Sequence, residues 1–199
     1  MKKFLTSIFA AAIFFQVQAA WGNEYLYLQS QMKVTSREGI GPETLEIITD
    51  ASTPSTSPKQ ATYAYIFHIV WENRPSVAEL GLATGFFLPI AKGKRPPVIH
   101  NVYFHVDGDK IPRATLGGSG PARTELRDNG VFIYVNLGTE EALTRRIAES
   151  KKTTVTFGDI SYSWFNAGKD VIVGEIAVTP QEKEAMKRVI RFYELLKED

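Results

Sequence analysis

The chain has 199 residues, with 23 basic and 22 acidic side chains, a formal charge of +1 and no cysteine. A nucleic-acid-binding domain carries a strong basic excess, so the near balance argues against that class. The missing cysteines exclude thiolate catalysis, thiolate metal ligands and disulfides, and an apolar core must hold the fold together, which a chain of this length can build.

The first residues follow the three-part layout of a secretory signal peptide. Met1-Lys2-Lys3 is the positive start, a largely apolar run follows from 4 to 15, and Gln16-Val17-Gln18-Ala19-Ala20 supplies small residues before a cut. A membrane-spanning helix needs about 20 apolar residues, so this run is too short to be a permanent anchor. Val17-x-Ala19 suits cleavage after Ala19, and Ala20-x-Gly22 is a second candidate. The organisation expected is a signal peptide at 1–20 and one β-rich domain at 21–199, periplasmic or secreted. The mature part keeps 179 residues and, without Lys2 and Lys3, 21 basic against 22 acidic side chains. No second long apolar run follows, so no transmembrane segment is expected in the mature chain. No Asn-x-Ser/Thr site occurs, which fits a bacterial source.

Residues 24–35 alternate, with Leu26, Leu28, Met32 and Val34 on one parity, and predict a half-buried strand. Residues 36–42 turn the chain, and 44–49 form a second strand. Residues 50–60 hold two prolines and almost nothing to bury, so they read as an exposed loop inside the domain. Residues 61–72 are the most aromatic stretch. Tyr63, Tyr65, Phe67 and Trp71 share one side, Ala64, Ile66 and His68 the other, and the pattern predicts a central strand covered on both faces. The four aromatics are also the candidate ligand-binding residues, as the wall of a cavity; His68 reads as a packed histidine.

Ser76 to Glu79 fits a capping box, but Gly81 and Gly85 follow closely, so one helical turn and a glycine-bent strand both remain open. The basic run 91–97 is a solvated turn. Residues 98–106 alternate, Asp107-Gly108 is a turn, and 111–116 return as a hairpin. Ile111 and Pro112 fall where a calcium loop needs an oxygen ligand and glycine, so that motif is rejected. His100 and His105 differ in parity and form no metal pair on a flat strand.

Gly117 to Pro121 misses both the nucleophile elbow and the phosphate-binding loop. Residues 128–130 turn into a second central strand at 131–137, where Phe132, Tyr134 and Asn136 oppose Ile133 and Val135. Thr139 reads as the cap of a short helix whose inward pair is Leu143 and Ile147 and which lies at the edge of the sheet. Strands follow at 153–157, at 160–165, and at 170–178 after a turn at 166–169, with Gly174 marking a bulge. Thr179-Pro180-Gln181-Glu182 then caps a C-terminal helix with Ala185, Met186, Val189, Ile190, Tyr193 and Leu196 as its buried stripe.

The fold class expected is α+β and β-rich. Antiparallel sheets form a sandwich or partly open barrel, with a short helix at about 140–150 and a C-terminal helix at about 180–197 packed on it. The leading functional expectation is an exported, non-catalytic protein that binds an envelope or extracellular protein or takes part in envelope assembly. No catalytic residue, metal ligand or cofactor is assigned. A second expectation is a carrier of a small apolar ligand. A third is a carboxylate-based hydrolase, for which His105, Asp107 and Asp109 are the candidates because they cluster at one strand end.

Overall fold

The computed structural model describes residues 23–38, 43–53, 59–72, 74–90, 96–114, 123–127, 129–159 and 171–198. The expected signal peptide at 1–20, the expected loop at 117–121 and the expected strand at 160–165 with its turn lie outside them, as do 39–42, 54–58 and 91–95 from the expected turns and loops.

Residues 23–30 are helical (α1). There follow β1 (Met32–Glu38), β2 (Glu43–Asp50), β3 (Gln60–Trp71), β4 (Arg74–Pro89), β5 (Ile99–Val106), β6 (Asp109–Ala114), β7 (Arg123–Arg127), β8 (Gly130–Thr139), α2 (Glu141–Glu149), β9 (Thr153–Asp159), β10 (Val171–Ala177) and α3 (Pro180–Glu198). They build two open antiparallel sheets. The larger has the order β1-β2-β3-β4-β8-β7, and the smaller β10-β9-β5-β6. The fold is thus the β-rich α+β class that the patterning implies, with the short helix and the C-terminal helix on the sheet.

One parity of β2, β3, β4 and β8 in the larger sheet points into a shared core. Ile48, Ala64, Ile66, Leu80, Leu82, Phe86, Ile133 and Val135 belong to it, together with Val102, Phe104, Val155 and Phe157 from the smaller sheet and Leu143, Ile147, Met186 and Val189 from the helices. Phe86 and Phe157 join the two sheets with ring centroids 4.3 Å apart. The helix α3 lies across β3, with lesser contacts to β2 and β4. Gly174 approaches Phe86 where β10 slips register against β9, so the predicted bulge is present and makes room for that ring. The β5–β6 hairpin closes at Asp107 (φ 50) and Gly108 (φ 98), the positive-φ pair of a type I′ turn.

Three expectations are corrected, and one question left open by the sequence is decided. The alternation over 24–35 hides a helix at 23–30, and only its end, from Met32 onward, is strand. Leu28 is buried while Leu26 is 63% exposed, although a strand would place them on one face. Tyr25, three positions before Leu28, packs on Phe192 at 5.3 Å, so the inward residues follow helical spacing. Of the two readings open at Ser76 to Glu79, the strand is the one formed: these residues belong to β4, paired with β3 through Ile69↔Val77, His68↔Ala78 and Phe67↔Glu79, and the sheet ladder orders the backbone without a cap. Thr139 ends β8, and its hydroxyl donates to Glu79 Oε2 at 2.6 Å rather than capping α2. The N-cap of α2 is Glu140, with no side-chain cap bond. Finally, α2 packs on α3 and the interior strand β4 rather than at the sheet edge, and Thr144 and Ala148 join Leu143 and Ile147 in its buried side.

The predicted capping box of α3 is formed. Glu182 N–H donates to Thr179 Oγ1 at 3.2 Å, and Thr179 N–H donates to Glu182 Oε2 at 2.7 Å. Glu182 Oε1 also accepts the Thr62 N–H of β3 at 2.8 Å, so the cap carboxylate ties the helix to the sheet. The buried stripe is wider than the periodicity implies, because Lys183, Phe192 and Leu195 are buried too. We predict that Thr179→Ala costs on the order of 1 kcal/mol in denaturant unfolding. Glu182→Ala should cost more, about 2 kcal/mol, because the buried Thr62 amide also loses its acceptor.

Ion pairs fasten the outside of α3. Arg191 forks onto Glu24 of α1 with two contacts of 2.8 Å, and Arg145 of α2 reaches Glu194 at 2.6 Å. Arg188 Nε donates to Asp50 Oδ2 at 2.6 Å at the end of β2. Burial raises the Asp50 pKa, but hydrogen bonds from Arg188 and Ser52 outweigh it and hold the carboxyl below its ordinary value of 3.8. A carboxyl with a depressed folded pKa gives stability that is complete above the unfolded value and lost as pH falls through the folded one. The unfolding free energy should therefore fall below about pH 4, and Asp50→Asn should flatten that part of the profile.

Candidate functional site

Strand geometry sends alternate residues of β3 to opposite faces. Because Ala64 and Ile66 enter the core, Tyr63, Tyr65, Phe67, Ile69 and Trp71 stand together on the other face of the larger sheet. Most of that face lies opposite the core side on which α2, α3 and the smaller sheet pack, and only its Tyr63 end borders the start of α3. Register extends it sideways: Thr49, Ile47, Leu45 and Glu43 of β2 sit opposite Tyr65, Phe67, Ile69 and Trp71. On β4 the matching positions are Ala83, Gly81, Glu79 and Val77, opposite Tyr63, Tyr65, Phe67 and Ile69. On β8, Tyr134 and Asn136 lie opposite Gly85 and Ala83.

This arrangement corrects the expectation that β3 is covered on both faces. It is central within the sheet, but the side carrying the larger rings is less covered. Phe67, Ile69 and Trp71 are half-buried, and at the margins Ile47 is 46% and Val77 43% exposed.

The middle of the face is locked by two tyrosine bridges. Gly81, Ala83 and Gly85 leave a trough along β4, and side chains from β3 and β8 meet across it. The Tyr63 and Tyr134 hydroxyls lie 2.8 Å apart with ring centroids at 6.3 Å. Tyr65 donates its hydroxyl hydrogen to Asn136 Oδ1 at 2.7 Å, and the same oxygen accepts the Gly138 N–H at 2.8 Å. Gly138 has φ 69, and β8 carries one extra residue against β4 between the pairs Gly81↔Thr139 and Ala83↔Asn136, as a glycine bulge does. Burial raises the pKa of Tyr63, Tyr65 and Tyr134, so the phenols stay neutral and act as hydrogen-bonding groups. At the far end, Trp71 Nε1–H donates to Glu43 Oε2 at 3.0 Å.

The four candidate residues are therefore brought together on one surface in two roles. Tyr63 and Tyr65 are tied down as its centre. Phe67 and Trp71 continue it toward the exposed margin. Of the four, Tyr63 alone also borders a cavity of about 490 Å³ between the end of β2 and the start of α3, with Ser52, Thr53, Gln60, Gln181 and Ala185 among its lining. Sequence reasoning missed Tyr134 and Asn136 as partners of the aromatic row. The small residues at 81, 83 and 85, all of one parity, were the available signal for an overlaid ring.

The other candidates separate. His105 Nε2 lies 3.3 Å from Thr156 Oγ1. Asp107 accepts the backbone N–H groups of Lys152 at 2.8 Å and Lys151 at 3.2 Å, and Asp109 pairs with Arg146. His105 and Asp107 border one depression, with Lys152, Thr154 and Glu175, while the Asp109 carboxylate is held elsewhere by α2. His68 is buried with Nδ1 2.9 Å from Glu46 Oε2. Among the described residues no group of three His, Asp or Glu side chains could hold a metal ion, and no helix is long and apolar enough to cross a membrane. No protein-family model, curated protein or solved structure matches the chain.

The tyrosine layer makes a sharp prediction. A Cβ at position 81 would lie 2.2 Å from Tyr65 Cζ. Gly81→Ala should destabilise the protein by about 1–3 kcal/mol, the usual cost of overpacking. In a Tyr65→Ala background most of that penalty should vanish, which a double-mutant cycle reads directly.

Proposed function

We propose that the protein is exported and acts without catalysis, by docking another envelope or extracellular protein on the outer face of its larger sheet. One observation carries this reading. Phe67, Ile69 and Trp71, with Ile47 and Val77 beside them, form a partly exposed apolar surface on the side of the sheet that the helices and the smaller sheet do not cover. Protein interfaces are enriched in aromatic side chains in their centres and carry polar rims. Here Glu43, Glu79 and Lys33 sit toward the margins. The bridged tyrosines support the reading further, because rings already fixed in place lose little freedom on binding. Export is supported by the Lys2-Lys3 start, the short apolar run and the small residues around Ala19.

A photo-crosslinking residue placed at Ile47 or Val77 of the mature protein should give the same discrete adduct in envelope extracts. The same probe at Ile172, exposed on the other sheet, should not. Untagged mature protein should compete the adduct away, and Phe67→Ser should weaken it about tenfold or more, as loss of a buried aromatic anchor does. Equal crosslinking from all three positions, or recovery of an unaccompanied monomer, would contradict the proposal.

The cavity of about 490 Å³ beside Tyr63 favours a second reading, carriage of a small ligand, since its size falls within the usual range of ligand sites. Native mass spectrometry of the mature protein separates the two. A co-purifying molecule released by filling the cavity with Ala185→Leu supports carriage, and a bare mass counts against it.

A further inference from the structure

A second surface, independent of the aromatic face, has the chemistry of an anion site. In a chain of nearly balanced charge, Lys151, Lys152, Lys183 and Lys187 border one depression of about 320 Å³ between the end of α2 and the start of α3. Glu149 and Glu184 are the acids on the same lining, so the lysines exceed them by two. Glu184 is paired with Lys187 at 2.9 Å. Lys151 and Lys152 are exposed and hold no ion pair among the described residues.

Lys183 is the unusual member. It is only 8% exposed, and its Nζ donates to the Ser150 carbonyl at 2.9 Å, where α2 ends. An ammonium carries three N–H donors, and this bond uses one. No other acceptor for it and no carboxylate in salt-bridge contact is present among the described residues. The charge of Lys183 nevertheless reaches Asp107, whose carboxylate is held by the backbone amides of Lys151 and Lys152. A buried ammonium with unfilled donors is costly unless an acceptor, and preferably an anion, completes it. The depression opens beside it, and two further unpaired ammonium groups flank the opening.

We propose that this depression binds a phosphate group, with Lys183 as its buried donor and Lys151 and Lys152 as its outer clamp. A free phosphate and a phospholipid headgroup present the same oxygens, so the test has an arm for each. The first arm is titration of the ¹⁵N-labelled mature protein with inorganic phosphate, compared with chloride at equal ionic strength. The amides of residues 150–153 and 183 should shift selectively with phosphate. The double variant Lys151→Gln/Lys152→Gln should bind about fivefold more weakly or less, and Lys151→Arg/Lys152→Arg should restore binding. These exposed positions leave the backbone bonds to Asp107 in place, so the test does not depend on a Lys183 variant folding. In the second arm, sedimentation with phosphatidylglycerol vesicles but not phosphatidylcholine vesicles, reversed by phosphate, assigns the group to an anionic lipid; its absence, with the selective shifts present, assigns a soluble phosphate. Shifts that chloride reproduces, shifts spread over all lysines, or a double variant that titrates like its parent would overturn the proposal.

Discussion

The structure depends on one constraint: a strand can bury only every second residue in a single core. In β3 the side that enters the core is the small and aliphatic one, Ala64 and Ile66, because α3 lies close against it. The large rings of the opposite parity must then occupy the outer side. From that follow the trough of small residues on β4, the tyrosines that bridge it, and the apolar margin beyond Phe67 and Trp71. Shifting the register of β3 by one residue would exchange the two sides entirely, which is why the pairing is so closely specified.

Two further features keep that sheet in place. The Glu182 carboxylate serves the helix cap and the Thr62 amide at once, so the start of α3 is registered against β3. The Phe86–Phe157 contact then couples the larger sheet to the smaller. The ion pairs of Arg191 and Arg145 lie largely at the surface, where each contributes modestly, whereas Arg188 meets the buried Asp50 carboxylate. Their effect is to fix how α1, α2 and α3 sit together, rather than to supply most of the stability.

Much of this was legible in the residues, and the failures share a physical cause. The central strands, the Asp107-Gly108 hairpin, the Gly174 bulge and the Thr179–Glu182 cap rest on local patterns that tertiary contacts left intact. The region 24–30 failed because a short segment can satisfy period two and helical spacing together, and Phe192, distant in sequence, decided for the helix. Thr139 failed as a cap because a capping signature is local, whereas the Glu79 carboxylate that claimed its hydroxyl is not, and at Ser76 to Glu79 pairing with β3 decided between the two open readings. At the candidate site the aromatic row on β3 was visible. Its partners Tyr134 and Asn136 lie about seventy positions away, and only the strand order β3-β4-β8 brings them over Gly81 and Gly85. The cluster around Lys183 was equally hidden, since it gathers the end of one helix and the start of another.

The central claim is that the outer face of the larger sheet is open in the isolated protein and covered by a partner where the protein works. The absence of cysteine makes it directly measurable, because a single introduced thiol is the only one present. Thiol-labelling rates of mature Ile47→Cys and Val77→Cys should be compared in buffer and in envelope extract, with Ile172→Cys as the control. The account predicts fast labelling at all three positions in buffer, and selective protection of 47 and 77 in the extract. Slow labelling at 47 and 77 in buffer, or equal rates in both media, would contradict it.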